Sequence, residues 1–77
     1  MIVEDHLSFR QSVAFLLSRE PDLEVVAQAG SLTEAREVLV EGHLDVAVLD
    51  LGLPDGDGRE LFGELRRTNP GISRLWC

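Results

Sequence analysis

Three carboxylates, Glu4, Asp5 and Asp50, are the side chains best placed to do chemistry in this chain. Asp50 closes a wholly apolar run, Val46-Ala47-Val48-Leu49, which reads as a strand buried on both faces. The segment that follows, Leu51-Gly52-Leu53-Pro54-Asp55-Gly56-Asp57-Gly58, is turn chemistry, so the Asp50 side chain is expected at a strand end facing an open loop. Met1 to Val3 looks like the end of another strand, and it too runs into acid, at Glu4-Asp5. If the two strand ends lie side by side, the three carboxylates converge and repel one another, and a divalent cation relieves that repulsion. Oxygen-only ligands, few in number and leaving room for water, suit Mg²⁺ better than Zn²⁺, which wants His or Cys. Two carboxylates and one loop carbonyl would make such a site.

The elements that must hold these acids follow from the hydrophobic pattern. Ser8 and Gln11 have capping-box spacing, and Phe9, Val13, Leu16 and Leu17 repeat at helical intervals until Pro21. Leu23, Val25, Ala27 and Ala29 alternate with mostly polar neighbours, the pattern of a half-exposed strand at a sheet edge, ended by Gly30. Ser31 and Glu34 form a second capping box, opening a helix with an inner face of Leu32, Ala35, Val38 and Leu39 and with Gly42 as its C-terminal cap. Asp57 and Glu60 repeat the N-cap spacing before a third helix striped by Leu61, Phe62 and Leu65, and Asn69-Pro70-Gly71 stops it. Ile72 to Cys77 starts a fourth strand, although Arg74 is wrong for a buried one.

Strand and helix therefore alternate, which is the signature of parallel α/β architecture. The expected fold is an incomplete, flavodoxin-like doubly wound sheet of about three and a half strands and three helices, in strand order 2-1-3-4. Right-handed crossovers then put the first helix on one face and the second and third on the other. Ligands of such sheets bind at the carboxyl ends of the strands, where Glu4, Asp5 and Asp50 meet.

Composition narrows the function classes. A chain of 77 residues allows one small domain. Its formal charge of -7, with all seven basic residues Arg and none Lys, argues against nucleic-acid contact by this segment and favours cations or basic partners. Cys77 is the sole cysteine, which rules out an intrachain disulfide and fits a reducing cytoplasm. No apolar run approaches the roughly 18 residues of a membrane span.

Ile2-Val3-Glu4-Asp5-His6, taken with Val48-Leu49-Asp50-Leu51-Gly52-Leu53-Pro54-Asp55-Gly56-Asp57-Gly58, resembles the receiver domain of bacterial two-component response regulators. The His after the acid pair and the Leu-Pro-Asp-Gly loop look most like the subfamily whose receivers precede a helix-turn-helix DNA-binding domain. The resemblance implies that Asp50 is the phosphoacceptor, that Glu4 and Asp5 form the acidic pocket, and that Asp5, Asp50 and the Gly52 carbonyl hold Mg²⁺, with Pro54 in the adjoining loop. It implies a sensor histidine kinase as partner, a phosphorelay function, and no enzymatic activity beyond self-phosphotransfer and autodephosphorylation. The family's phosphoryl-binding hydroxyl and Lys, which follow its fourth and fifth strands, have no counterpart here. Residues 1–77 are thus expected to be a single receiver, clipped at its start and lacking its last third, with impaired phosphorylation and an uncovered sheet edge open to self-association.

Rival readings fail on spacing. As a calcium loop starting at Leu53, the segment has an apolar residue at the obligatory first ligand, although Asp55, Asp57, Gly58 and Glu64 fall at suitable positions. As a haloacid-dehalogenase-like motif, Asp55-Gly56-Asp57-Gly58 lacks a preceding strand. The final Ser73-Arg74-Leu75-Trp76-Cys77 also fits the end of a disrupted, non-functional gene. His6 is expected as a loop residue and His43 as an exposed one.

Overall fold

A computed structural model describes residues 1–38 and 43–76. The order is β1 (Ile2–Val3), α1 (Leu7–Ser18), β2 (Gln28–Ala29), α2 (Leu32–Val38), β3 (Val46–Leu49), α3 (Gly58–Thr68) and β4 (Ser73–Trp76). The four strands form one parallel sheet in the order β2-β1-β3-β4, as the alternation of elements predicts. Leu39, Gly42 and Cys77, to which the sequence assigns a helix face, a cap and a strand end, lie outside the described residues.

One face of the sheet carries the main core. Val3, Ala29, Ala47 and Leu49 pack with Leu32 and Ala35 of α2 and with Leu61, Phe62 and Leu65 of α3, in a cluster to which α1 contributes nothing. Capping behaves as expected at both of these helices. Ser31 Oγ accepts the Glu34 amide at 3.1 Å, while Glu34 reaches back to the Gly30 amide at 2.8 Å. Asp57 caps α3, accepting the Arg59 amide at 2.8 Å. Asn69 then joins the end of α3 to the approach to β3: its side chain accepts the buried Leu44 amide at 2.9 Å and donates to the Leu65 carbonyl at 3.2 Å.

Four expectations are corrected. β2 is two residues long and not seven, because its only neighbour in the sheet among the described residues is the equally short β1; outside it, the Ile2 amide still reaches the Ala27 carbonyl at 3.0 Å. The first helix starts at Leu7 after an N-cap at His6 that makes no side-chain cap bond, so Ser8 sits inside the helix and does not cap it. Its half-buried residues are Arg10, Val13, Ala14 and Leu17, whereas Phe9 and Leu16 are exposed. Both sides of this helix are apolar, and the rotation that wins is the one that turns Arg10 inward. At the end of α2, Val38 lies at the surface and not on an inner face.

Arg74 is accommodated because β4 is an edge strand among the described residues. Its guanidinium lies 5.0 Å from the Phe62 ring centre and 5.3 Å from that of Trp76, and the two rings meet edge to face at 6.1 Å.

The second face of the sheet is thinly covered. Alternation puts Ile2, Val46, Val48 and Leu75 on it, and although Ile2 and Val48 are buried, Val46 is 36% exposed and Leu75 58%. On α1 itself Phe15 and Leu16 are exposed as well, at 62% and 60%. The 77-residue chain is therefore expected to bind the dye ANS and to self-associate in light scattering, and polar replacement of Phe15 and Leu16 should lower both signals. Leu61→Ala, in the fully buried core, should instead cost about 2 to 5 kcal/mol in denaturant melts.

Candidate functional site

The acidic pocket is assembled by strand pairing. β1 and β3 run parallel with Val3 opposite Leu49, so the next residues along, Glu4 and Asp50, leave the sheet together. The Asp50 amide donates to the Val3 carbonyl at 2.9 Å, and the Glu4 amide to the Ala29 carbonyl at 3.0 Å. As a result one ligand atom from each of Glu4, Asp5, His6 and Asp50 lies within 4.8 Å of the others. Glu4 is buried, Asp50 half-buried and Asp5 exposed. The three acids singled out in the sequence are thus brought together.

His6 joins them more closely than its loop position suggests. Its Nδ1 is 2.9 Å from Glu4 Oε1 and 3.2 Å from Asp5 Oδ1, and its backbone amide donates to the same Glu4 oxygen at 3.1 Å. The hydrogen bond to Glu4, and after it the charge of Asp5, raise the imidazole pKa above its ordinary value. The imidazole itself is largely in solvent. His43 is exposed as expected and meets Asp45 at 2.9 Å.

The loop after β3 is built around Asp50. Asp50 Oδ1 accepts the Gly52 amide at 2.9 Å, and Leu53 and Gly56 exchange backbone bonds of 3.1 and 3.4 Å across a tight turn with Pro54 and Asp55 at its tip. Any Cβ on Gly58 would collide with the Asp50 carbonyl oxygen, so α3 can begin this close to the pocket only with Gly there.

Asp55 has a role that no local signal announces. Its Oδ1 accepts the Leu32 amide at 2.8 Å, and its Oδ2 accepts the Thr33 amide at 3.0 Å and the Thr33 hydroxyl at 2.8 Å. The loop is thereby tied to the first turn of a helix more than twenty residues earlier in the chain. Asp57 is equally committed, with its Oδ2 held by Arg59 at 2.7 and 3.0 Å. The calcium-loop reading is left without free carboxylates at two of its ligand positions.

The donor set is compatible with Mg²⁺, since it offers carboxylate oxygens at the mouth of a loop and no thiolate among the described residues. No helix among the described residues is long and apolar enough to cross a membrane.

A parallel four-stranded sheet with clustered acids at the carboxyl ends of its first and third strands defines a class of signalling domain. The chain belongs to the response regulator receiver domain family, which matches residues 1–77. It is 42% identical over 74 residues to the DNA-binding transcriptional activator DevR/DosR of Mycobacterium tuberculosis, covering 96% of this chain and 34% of that protein. It is also 42% identical over 64 residues to the transcriptional regulatory protein UhpA of Escherichia coli, covering 83% and 33%. A protein-glutamate methylesterase/protein-glutamine glutaminase of Agrobacterium fabrum is 33% identical over 70 residues, covering 91% of this chain and 20% of that protein. The chain therefore spans between a fifth and about a third of the length of these relatives.

The Asp55 tie yields a pH-dependent outcome. The Leu32 amide, then the Thr33 hydroxyl and amide, hold the Asp55 carboxyl below its ordinary pKa of 3.8. Its stabilisation is therefore present above that value and is lost as pH falls through the lower native one. Asp55→Ala should melt below the parent at pH 7, and the gap should close in thermal scans taken progressively further below pH 3.8.

Proposed function

We propose that this chain serves phosphorelay signalling, with Asp50 accepting a phosphoryl group from a phosphohistidine of a sensor histidine kinase. The observation that carries this reading is the convergence of Glu4, Asp5 and Asp50 at the strand ends of a receiver domain. Asp50 Oδ1 is engaged by the Gly52 amide, while no hydrogen bond holds Oδ2 among the described residues. Oδ2 is thus the oxygen presented to phosphorus. It forms the new O–P bond as the N–P bond to the kinase histidine breaks, the histidine nitrogen takes up a proton, and the product on Asp50 is an acyl phosphate.

Receiver domains typically bind Mg²⁺, and Asp5, Asp50 and the Gly52 carbonyl would hold it here, with Glu4 accepting from its water. When bound, the cation neutralises charge on the phosphoryl oxygens. Asp5, more exposed than Glu4, faces the incoming group, and the buried Glu4 anchors the pocket from below through its bonds to His6.

In this reading the chain is a phosphoacceptor rather than an enzyme, acting in the cytoplasm. Its 77 residues contain no Lys to pair with the phosphoryl oxygens, so the segment by itself is modified weakly. Regulation of transcription, the role carried in the names of two relatives, would not rest on DNA contact by this acidic segment itself.

Incubation with Mg²⁺ and acetyl phosphate should give a substoichiometric, base-labile phosphoryl adduct by intact mass, and Asp50→Asn should abolish it. Modification that persists in Asp50→Asn would remove the assignment. In Mg²⁺ titrations, Asp5→Ala and Asp50→Ala should lose most of the affinity and Glu4→Gln less.

A further inference from the structure

Arg10 lies on the first full turn of α1, and its side chain does not point into solvent as an Arg on a small acidic domain ordinarily does. Its Nη1 donates to the backbone carbonyl of Glu4 at 2.8 Å. That carbonyl belongs to the peptide group joining Glu4 to Asp5, so the bond fixes the plane from which the Asp5 side chain departs. The Nε of the same guanidinium is buried with no hydrogen-bond partner, at a desolvation cost that calls for a compensating role.

The seat for this guanidinium is made by an absent side chain. A Cβ on Gly30, at the carboxyl end of β2, would stand 2.7 Å from Arg10 Nη1, closer than carbon and nitrogen can pack. The other atoms it would meet include Glu34 Oε2 at 3.6 Å, an ordinary contact, and the Gly30 backbone is not in the left-handed region. An Ala at position 30 is thus compatible with the fold and incompatible only with Arg10 where it now lies.

We infer that Arg10 is a positioning residue of the acidic pocket: seated over Gly30, its guanidinium holds the peptide between Glu4 and Asp5 so that the Asp5 carboxylate stands beside Asp50. The inference rests on the reading of Glu4, Asp5 and Asp50 as a cation-holding pocket. The interaction is also electrostatic. The guanidinium brings a cation to the peptide group that joins two of the three acids that repel one another. Groups that orient metal ligands without touching the metal commonly change its affinity by about 10 to 100-fold when removed.

The test is a Mg²⁺ titration of the 77-residue chain, followed by backbone amide NMR, with far-UV circular dichroism as the check on folding. Arg10→Gln should weaken Mg²⁺ binding about tenfold or more while keeping the helical signal. Gly30→Ala should weaken it similarly, by displacing the guanidinium, and the double variant should bind no worse than Arg10→Gln alone. A folded Arg10→Gln with the parent's affinity overturns the inference and leaves the pocket reading intact. So does a Gly30→Ala loss that adds in full to that of Arg10→Gln, because Gly30 would then act by another route. If Arg10→Gln loses its helical signal, Gly30→Ala decides alone, and parental affinity there overturns the inference. A parent that shows no saturable binding sensitive to Asp50→Ala overturns both the pocket reading and the inference.

Discussion

The hydrogen bond from the Asp50 amide to the Val3 carbonyl, with the parallel register it belongs to, is the constraint on which the site depends. Each residue of slippage between β1 and β3 would carry Asp50 about 3.3 Å along the sheet and turn its side chain to the opposite face. The register is in turn held by what lies beneath it: Val3, Ala47 and Leu49 all face the α2 and α3 side, where they are fully buried. A slip would drive those three side chains to the thinly covered face. The precision of the acidic cluster is therefore a property of the hydrophobic core, although none of the four clustered residues belongs to it.

The loop that follows Asp50 illustrates a second economy of design. Two of its acids are engaged by helix ends. Asp57 caps the helix that begins beside it, and Asp55 caps a helix from a different part of the chain. Negative charge at the first turn of a helix is favourable, so a loop crowded with carboxylates next to an acidic pocket is stabilised by helix ends. The same two bonds stop the loop from drifting away from Gly52, whose amide reaches Asp50.

How much of this was legible in the sequence depends on whether the deciding contact was local. The β3 strand, the Ser31/Glu34 capping box, the Asp57 cap and the α3 stripe all follow from residues a few positions apart, and each stands where the pattern places it. The strand order was equally accessible, because alternating elements and right-handed crossovers leave few arrangements. The rotation of α1 was not, since Phe9 and Leu16 compete with Ala14 and Leu17 for the sheet and the contest is settled by Arg10 reaching the Glu4 carbonyl. The shortness of β2 and the bonds of Asp55 were hidden for the same reason: their partners are distant in sequence, and periodicity carries no information about them. His6 is an intermediate case. Its adjacency to Glu4-Asp5 was plain, but only the turn geometry brings its ring back onto them.

The ring of Trp76 stands against Phe62 at the outer strand, paired in register with Leu49, one residue before the pocket. It is the only tryptophan in a chain that has no tyrosine, so absorption and emission excited at the red edge of the aromatic band arise from a single chromophore. That chromophore is clasped by the cation of Arg74 on a strand whose other side is unpaired among the described residues. Its spectrum is thus a gauge of whether β4 has zipped onto β3. Fraying of that outer strand would redden the emission and flatten the near-ultraviolet dichroism while far-ultraviolet helix signals stayed unchanged, and so the outer strand carries its own optical label.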